Sequence, residues 1–305
     1  MADGGPKLDR VSSQRNRVVV GAGTQVATEV SINFGSSVAG LLIPIVGSLV
    51  VVAVRQLVTA VCILPFYRPK RAELTWRRLW PALALGVVLA AMNLSFYEAV
   101  GRLGLGIAAT IEFLGPFVLA LVGSRRLLDA GCAVAAAGGV LLLTATEGAI
   151  DPIGVVLALT AAASWAAYIL LTRRVATRLP GLEGLSIASV VATVLTVPLA
   201  LIVVDYSRID WRVAGLLLTA GILSSAVPYS LDTFILRRIT PRLYAIITSF
   251  GPVIATLFGV LVLGEHFVFV QLVGIVVVCL AAGVSITTQR ERPRSDLEAT
   301  AETIP

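Results

Sequence analysis

Arg55, Glu112 and Asp232 are ionisable residues that lie inside long apolar runs of this chain. A charge within a bilayer is costly and normally faces the interior of a helix bundle. One helical turn either side of Glu112 lie Ala108, Ala109, Gly115 and Pro116, a face of small residues that allows close packing or leaves room for a bound molecule. A carboxylate there can attract an ammonium group or exchange a proton; the competing reading is a fixed structural partner of Arg55. Arg55 is the only cation well inside such a run. Its guanidinium can hold a carboxylate through two parallel hydrogen bonds, or it can serve as counter-ion to Glu112. Together, the two would grip the opposite poles of a zwitterion.

Other polar groups share helical faces with spacings of three and four. Asp232 has Ser225, Pro228 and Tyr229 at i−7, i−4 and i−3. It reads as a proton site or as a buried partner of Arg237 or Arg238. Asn93, Phe96 and Tyr97 share one face, where Asn93 and Tyr97 can orient a substrate or bond to neighbouring helices. Trp165 and Tyr168 share another, as packing or as the aromatic lining of a site. Glu29, Glu98 and the Glu265-His266 turn are weaker candidates.

The elements that must carry these groups follow from composition. The 305 residues are 57% apolar and 14% charged, with a mean hydropathy of +0.92. Soluble domains average roughly a quarter charged, so lipid must be the solvent for most of this chain. A hydrocarbon core needs about 20 apolar helical residues. Ten candidate spans are expected near 18–43, 46–66, 79–100, 107–123, 127–145, 153–172, 185–204, 212–236, 243–263 and 267–288. With the N-terminus inside, 20 of the 24 Lys and Arg residues fall in cytoplasmic loops or tails and 3 outside, with Arg55 alone in a span. That asymmetry sets topology and predicts both termini in the cytoplasm. It also accounts for the net charge of +6 without a nucleic-acid partner. Cys62, Cys132 and Cys279 lie in apolar runs as packing residues. No metal-ligand spacing or nucleotide loop is present, so no metal or cofactor is expected.

The chain repeats itself. Setting Gly115-Pro116 on Gly251-Pro252 gives an offset of 136, which also places Arg102 on Arg238, Ala109 on Ala245 and Asn93 on Tyr229. A five-span unit is odd, so its second copy must start from the opposite side. The expected fold is therefore an all-α membrane protein of ten transmembrane helices in two inverted five-helix repeats. Residues 1–17 form the N-tail, 18–146 the first repeat, 152–288 the second and 289–305 the C-tail. Matched Gly/Pro interruptions in inverted halves mark the binding site of secondary transporters. The rival classes are a channel, a membrane enzyme and a non-transporting membrane protein. One histidine and no nucleophile–base set speak against an enzyme; the charged residues inside the spans speak against an inert scaffold.

Several motifs carry a family resemblance. These are Met92-Asn93-Leu94-Ser95-Phe96-Tyr97-Glu98-Ala99, Ile111-Glu112-Phe113-Leu114-Gly115-Pro116, Ala163-Ser164-Trp165-Ala166-Ala167-Tyr168 and Leu263-Gly264-Glu265. Through them the chain resembles the EamA group of the drug/metabolite transporter superfamily, and within it the threonine/homoserine exporter branch, over about residues 18–288. The resemblance implies a central cavity and export of small polar metabolites such as amino acids across a bacterial cell membrane, with possible proton coupling. The implied partners are the bilayer, a small-molecule substrate and protons, for a monomer or homodimer. One departure stands out. That branch often has a carboxylate just before the proline of the ninth span, where this chain has Gly251.

Overall fold

The computed structural model describes residues 5–67, 75–121, 126–144, 151–236 and 238–288, and within these the side chains of residues 5–15, 120, 144, 229, 232, 233, 236 and 241 lie outside the description. The described residues form helices, 3-10 and π turns, and short connections. Six helical segments are long and apolar enough to cross a membrane: Asn16–Val46, Trp76–Leu103, Pro152–Ala176, Glu183–Val203, Arg242–Leu263 and Phe269–Thr288. Four shorter apolar stretches, Ser48–Ile63, Leu105–Leu119, Leu127–Leu143 and Trp211–Ala226, lie between them.

Local sequence explains where the helices stop. The first, α1 (Gly5–Val46), gives way to α2 (Ser48–Ile63) at Gly47, whose φ of 83° is open to glycine and strained for other residues. Gly104, also at φ 83°, separates α3 (Trp76–Leu103) from α4 (Leu105–Glu112). The next helices are α5 (Leu114–Leu121) and α6 (Leu127–Thr144). Asp151 caps α7 (Pro152–Ala176) by accepting from the Ile153 N–H, with Pro152 in the first turn where its missing donor costs nothing. There follow α8 (Glu183–Val203) and α9 (Trp211–Gly221), the latter capped by Asp210. A π turn over Ile222–Ala226 leads into α10 (Val227–Leu236). Thr240 caps α11 (Pro241–Thr248), then come α12 (Gly251–Phe258), a second π turn (Gly259–Leu263) and α13 (Phe269–Thr288).

Two of the expected spans are broken in mid-course at corresponding places. α4 ends at Glu112 and α5 begins at Leu114, beside Gly115-Pro116. α11 ends at Thr248 and α12 begins at Gly251, beside Pro252. Glu112 and Thr248 are separated by the same 136 residues found in the sequence repeat. Proline explains both breaks. It lacks the N–H that would bond four residues back, which here leaves the carbonyls of Glu112 and Thr248 without that partner.

Packing runs inside out relative to a soluble protein. Large apolar side chains such as Phe66, Leu141, Ile202, Leu261 and Leu280 lie on the outside, while Gln25, Glu29, Asn33, Arg55 and Asn93 are buried. Lipid-facing surface wants this pattern, since polar groups must find partners within the bundle. Helices α3 and α7, α6 and α13, and α8 with both α2 and α3 make the most extensive contacts. One apolar core gathers Leu105, Ile111, Leu143, Ala158 and Ile275. A second surrounds Tyr97 with Leu42, Val51 and Leu217. The second core sits directly beside the polar site.

Candidate functional site

Arg55 is buried near the middle of α2 and is held from three sides. Nη1 donates to Asn93 Oδ1 on α3 at 3.1 Å. Nη2 donates to Ser225 Oγ at 3.0 Å and to the Ser224 carbonyl at 3.3 Å. The ring of Tyr97 lies beneath it, its centroid 4.5 Å from the guanidinium carbon, a cation–π distance. Tyr97 is fixed in turn because its hydroxyl donates to Ser36 Oγ on α1 at 3.0 Å. Four elements thus converge on one cation.

The Ser224 carbonyl is free for Arg55 for a reason visible in the chain. Pro228 lies four residues later and has no N–H to give it. The π turn over Ile222–Ala226 marks the same irregularity, and π turns concentrate at functional sites. Asn93 is anchored too, donating its Nδ2 to the Leu89 carbonyl at 2.9 Å, which leaves Oδ1 for the arginine. One nitrogen has no partner: Arg55 Nε–H is buried with no hydrogen-bond partner among the described residues. A buried unpaired donor on a charged group is unfavourable unless something else arrives to take it.

Glu112 is half-buried at the end of α4, where the helix breaks. The Arg55 charge acts on its carboxyl, and the Glu112 charge acts on Tyr97. The hydrogen bonds of Arg55 nevertheless go to Asn93, Ser224 and Ser225, and no ion pair joins Arg55 to Glu112 among the described residues. The two side chains lie within electrostatic range of each other without an ion pair between them among the described residues.

The remaining expected residues divide. Trp165 on α7 meets the ring of Phe113 at 6.1 Å, at the α4–α5 break. Tyr168 packs with the apolar groups around Leu85 and Leu89. Gly115 lies so close to α7 that a Cβ there would run into the carbonyl of Ala162. Gly251 is different. A Cβ on it would stand 3.5 Å from Glu29 Oε2, so a carboxylate from α1 occupies the space beside the second break. Tyr229 and Asp232 lie on α10, with their side chains outside the described residues. Sequence reasoning missed Ser36 and Ser224 as members of the site. Pro228 was the available signal for Ser224; nothing local pointed to Ser36.

Comparison with known proteins decides what kind of molecule carries this site. Residues 152–287 match the EamA-like transporter family. The chain is 33% identical over 272 residues to the threonine/homoserine exporter RhtA of Escherichia coli (strain K12), covering 88% of this chain and 92% of that one. The chain belongs to the EamA-like transporter family. As an EamA protein it is a membrane transporter and not an enzyme. The threonine/homoserine exporter RhtA of Salmonella typhimurium (strain LT2) is 32% identical over 267 residues, covering 87% of this chain and 90% of that one. The fold is also shared with a crystal structure at a TM-score of 0.60 and 16% identity, covering 95% of this chain and 99% of the other.

Proposed function

We propose that this EamA protein exports small zwitterionic amino acids, threonine and homoserine foremost, across a bacterial cell membrane by alternating access coupled to proton entry. The observation that carries the proposal is the Arg55–Glu112 arrangement. The buried Arg55 guanidinium keeps an Nε–H without a partner among the described residues, and the Glu112 carboxyl lies within its electrostatic range. An amino acid has one carboxylate and one ammonium, and these complement the two charges. Arg55 takes the substrate carboxylate; Glu112 takes the ammonium. Asn93, Tyr97 and Ser225 hold Arg55 in place, and Trp165 borders the α4–α5 break. The 32–33% identity to two threonine/homoserine exporters supports the substrate class.

The architecture we propose has ten spans in two inverted halves, residues 18–146 and 152–288, with both tails cytoplasmic. Support comes from the six long and four shorter apolar helices and from the matching breaks after Glu112 and Thr248. Inverted halves give alternating access, because exchanging their conformations moves the opening from one side to the other. The test is counterflow of labelled threonine and homoserine in liposomes, with and without an imposed pH gradient. Saturable counterflow stimulated by the gradient is expected. No flux of either amino acid from well-folded protein would sink the substrate assignment.

A further inference from the structure

A second polar cluster lies away from Arg55, at the other helix break. On α1, Gln25, Glu29, Asn33 and Ser37 recur every four residues, with Thr28 and Ser36 alongside; all six are buried. Residues four apart share a helical face, so this is a polar stripe inside the bundle. At one end, Gln25 Nε2 donates to Glu29 Oε1 at 3.0 Å and to Thr248 Oγ1 at 3.2 Å. Thr248 closes α11, and Pro252 denies its carbonyl the usual helical donor. Towards the other end, Ser36 accepts the Tyr97 hydroxyl beneath Arg55. Seven residues of helix separate Glu29 from Ser36, about 10 Å of rise. The stripe therefore joins a buried carboxylate to the substrate site.

The cluster is rich in acceptors: Gln25 Oε1, the two oxygens of Glu29, and the hydroxyl and carbonyl oxygens of Thr248. One of them stands without a donor among the described residues. Gln25 Oε1 is completely buried and has no hydrogen-bond partner among the described residues. Adding one proton supplies a donor and removes a charge from the bundle interior, where charge is expensive. A metal cation fits less well, because the amide N–H groups of Gln25 already point at the carboxylate and at Thr248.

We propose that Glu29, positioned by Gln25 and Thr248 at the α11–α12 break, is a proton-binding residue that supplies the coupling proton for export. Its coupling role rests on the transport reading above, while proton binding itself does not. The step is simple: one carboxylate oxygen of Glu29 takes a proton from one side and gives it up to the other. The helices packed on α1 carry other titratable or charged groups within the membrane: Arg55 and Cys62 on α2, Tyr97 and Glu98 on α3, Glu112 on α4, Arg212 at the start of α9, Tyr229 and Asp232 on α10, and Tyr244 on α11. α12 and the π turns at 222–226 and 259–263 carry none. Glu29 is the carboxylate beside the second break, as Glu112 is beside the first.

Two measurements on the full chain test this. The first is the infrared difference spectrum of the solubilised protein between acid and alkaline pH, for wild type, Glu29→Gln, Glu29→Asp and Asp232→Asn. A buried carboxylic C=O band that titrates in wild type should vanish in Glu29→Gln, shift in Glu29→Asp and persist in Asp232→Asn. A band that survives unchanged in Glu29→Gln overturns the proposal. The second compares threonine counterflow with accumulation driven by a pH gradient in liposomes. In Glu29→Gln, counterflow should persist without its pH response and gradient-driven accumulation should be lost; Glu29→Asp should restore both. Gradient-driven accumulation at the wild-type level in Glu29→Gln, or accumulation driven by sodium in place of protons, overturns the coupling role. Loss of counterflow together with accumulation in a folded variant also overturns it, by moving Glu29 into the substrate path. Wild type that moves no amino acid would sink the transport reading instead, and the infrared experiment would still decide whether Glu29 binds a proton.

Discussion

The guanidinium of Arg55 lies over the ring of Tyr97, 4.5 Å from its centroid, while the Tyr97 hydroxyl bonds to Ser36 on α1. This stack connects α1, α2 and α3 through one buried cation. Arg55→Lys keeps the charge but loses the planar fork that reaches Asn93, Ser224 and Ser225 together. Hydrogen bonds to charged groups contribute about 1.5–3 kcal/mol, so Arg55→Lys should weaken threonine counterflow by about 10- to 100-fold in half-saturating concentration. Tyr97→Phe keeps the ring and loses one neutral bond, so its effect should stay within about 3- to 10-fold. Equal losses in the two variants would mean that Arg55 does not contact substrate.

The two Gly-Pro breaks differ in how tightly they are packed, and alanine substitution should separate them. At Gly115 a Cβ collides with the backbone of α7 at Ala162; at Gly251 it reaches Glu29 at an ordinary contact distance of 3.5 Å. Overpacking typically costs about 1–3 kcal/mol. Gly115→Ala should lower the unfolding temperature in detergent, whereas Gly251→Ala should leave it nearly unchanged. A Gly115→Ala protein as stable as wild type would show that α5 and α7 can part at little cost.

Two carboxylates outside the spans should titrate with opposite sign. Asp151 is held below the usual carboxylate range, first by its hydrogen bond from Arg102 at 2.6 Å and then by the Ile153 N–H. A depressed folded pKa stabilises above the ordinary value of about 4 and is lost as pH falls through the lowered one. Glu265 accepts from the N–H groups of Leu105 and Gly106, yet burial outweighs them and pushes its carboxyl up. A raised folded pKa favours folding at low pH, and that contribution disappears as pH rises from the ordinary value through the raised one. At neutral pH, Asp151→Asn should therefore lower the unfolding temperature and Glu265→Gln should raise it. At pH 3 to 4 both differences should shrink. Shifts of the same sign at neutral pH would contradict this assignment.

Much of the site was legible because the bilayer penalises charge. Arg55 and Glu112 stood out as ionisable residues within apolar runs, and Asn93 and Tyr97 followed from sharing one helical face. The structure brings Arg55, Asn93 and Tyr97 together and keeps Glu112 in range. The Gly-Pro pairs predicted interruptions, and the helices do break at Phe113 and at Ser249-Phe250. The partnership of Arg55 with Ser36, through Tyr97, and with Ser224 was not legible. It joins helices 19 to 169 residues apart in sequence, which no local periodicity encodes. Glu29 was visible only as a polar interruption of the first span. Its place beside Gly251 depends on how α1 packs against α12, a tertiary contact that hydropathy does not record.

The most direct test of the central claim is competition against threonine counterflow by two analogues, threonine amide without the carboxylate and N-acetylthreonine without the ammonium. If Arg55 and Glu112 hold the two poles, each analogue should compete about 10- to 100-fold less well than threonine, the loss expected for one charged hydrogen-bonded contact. Arg55→Gln should erase the penalty for the amide alone, and Glu112→Gln the penalty for the acetylated form alone. Either analogue competing as well as threonine in wild type would contradict the two-pole site.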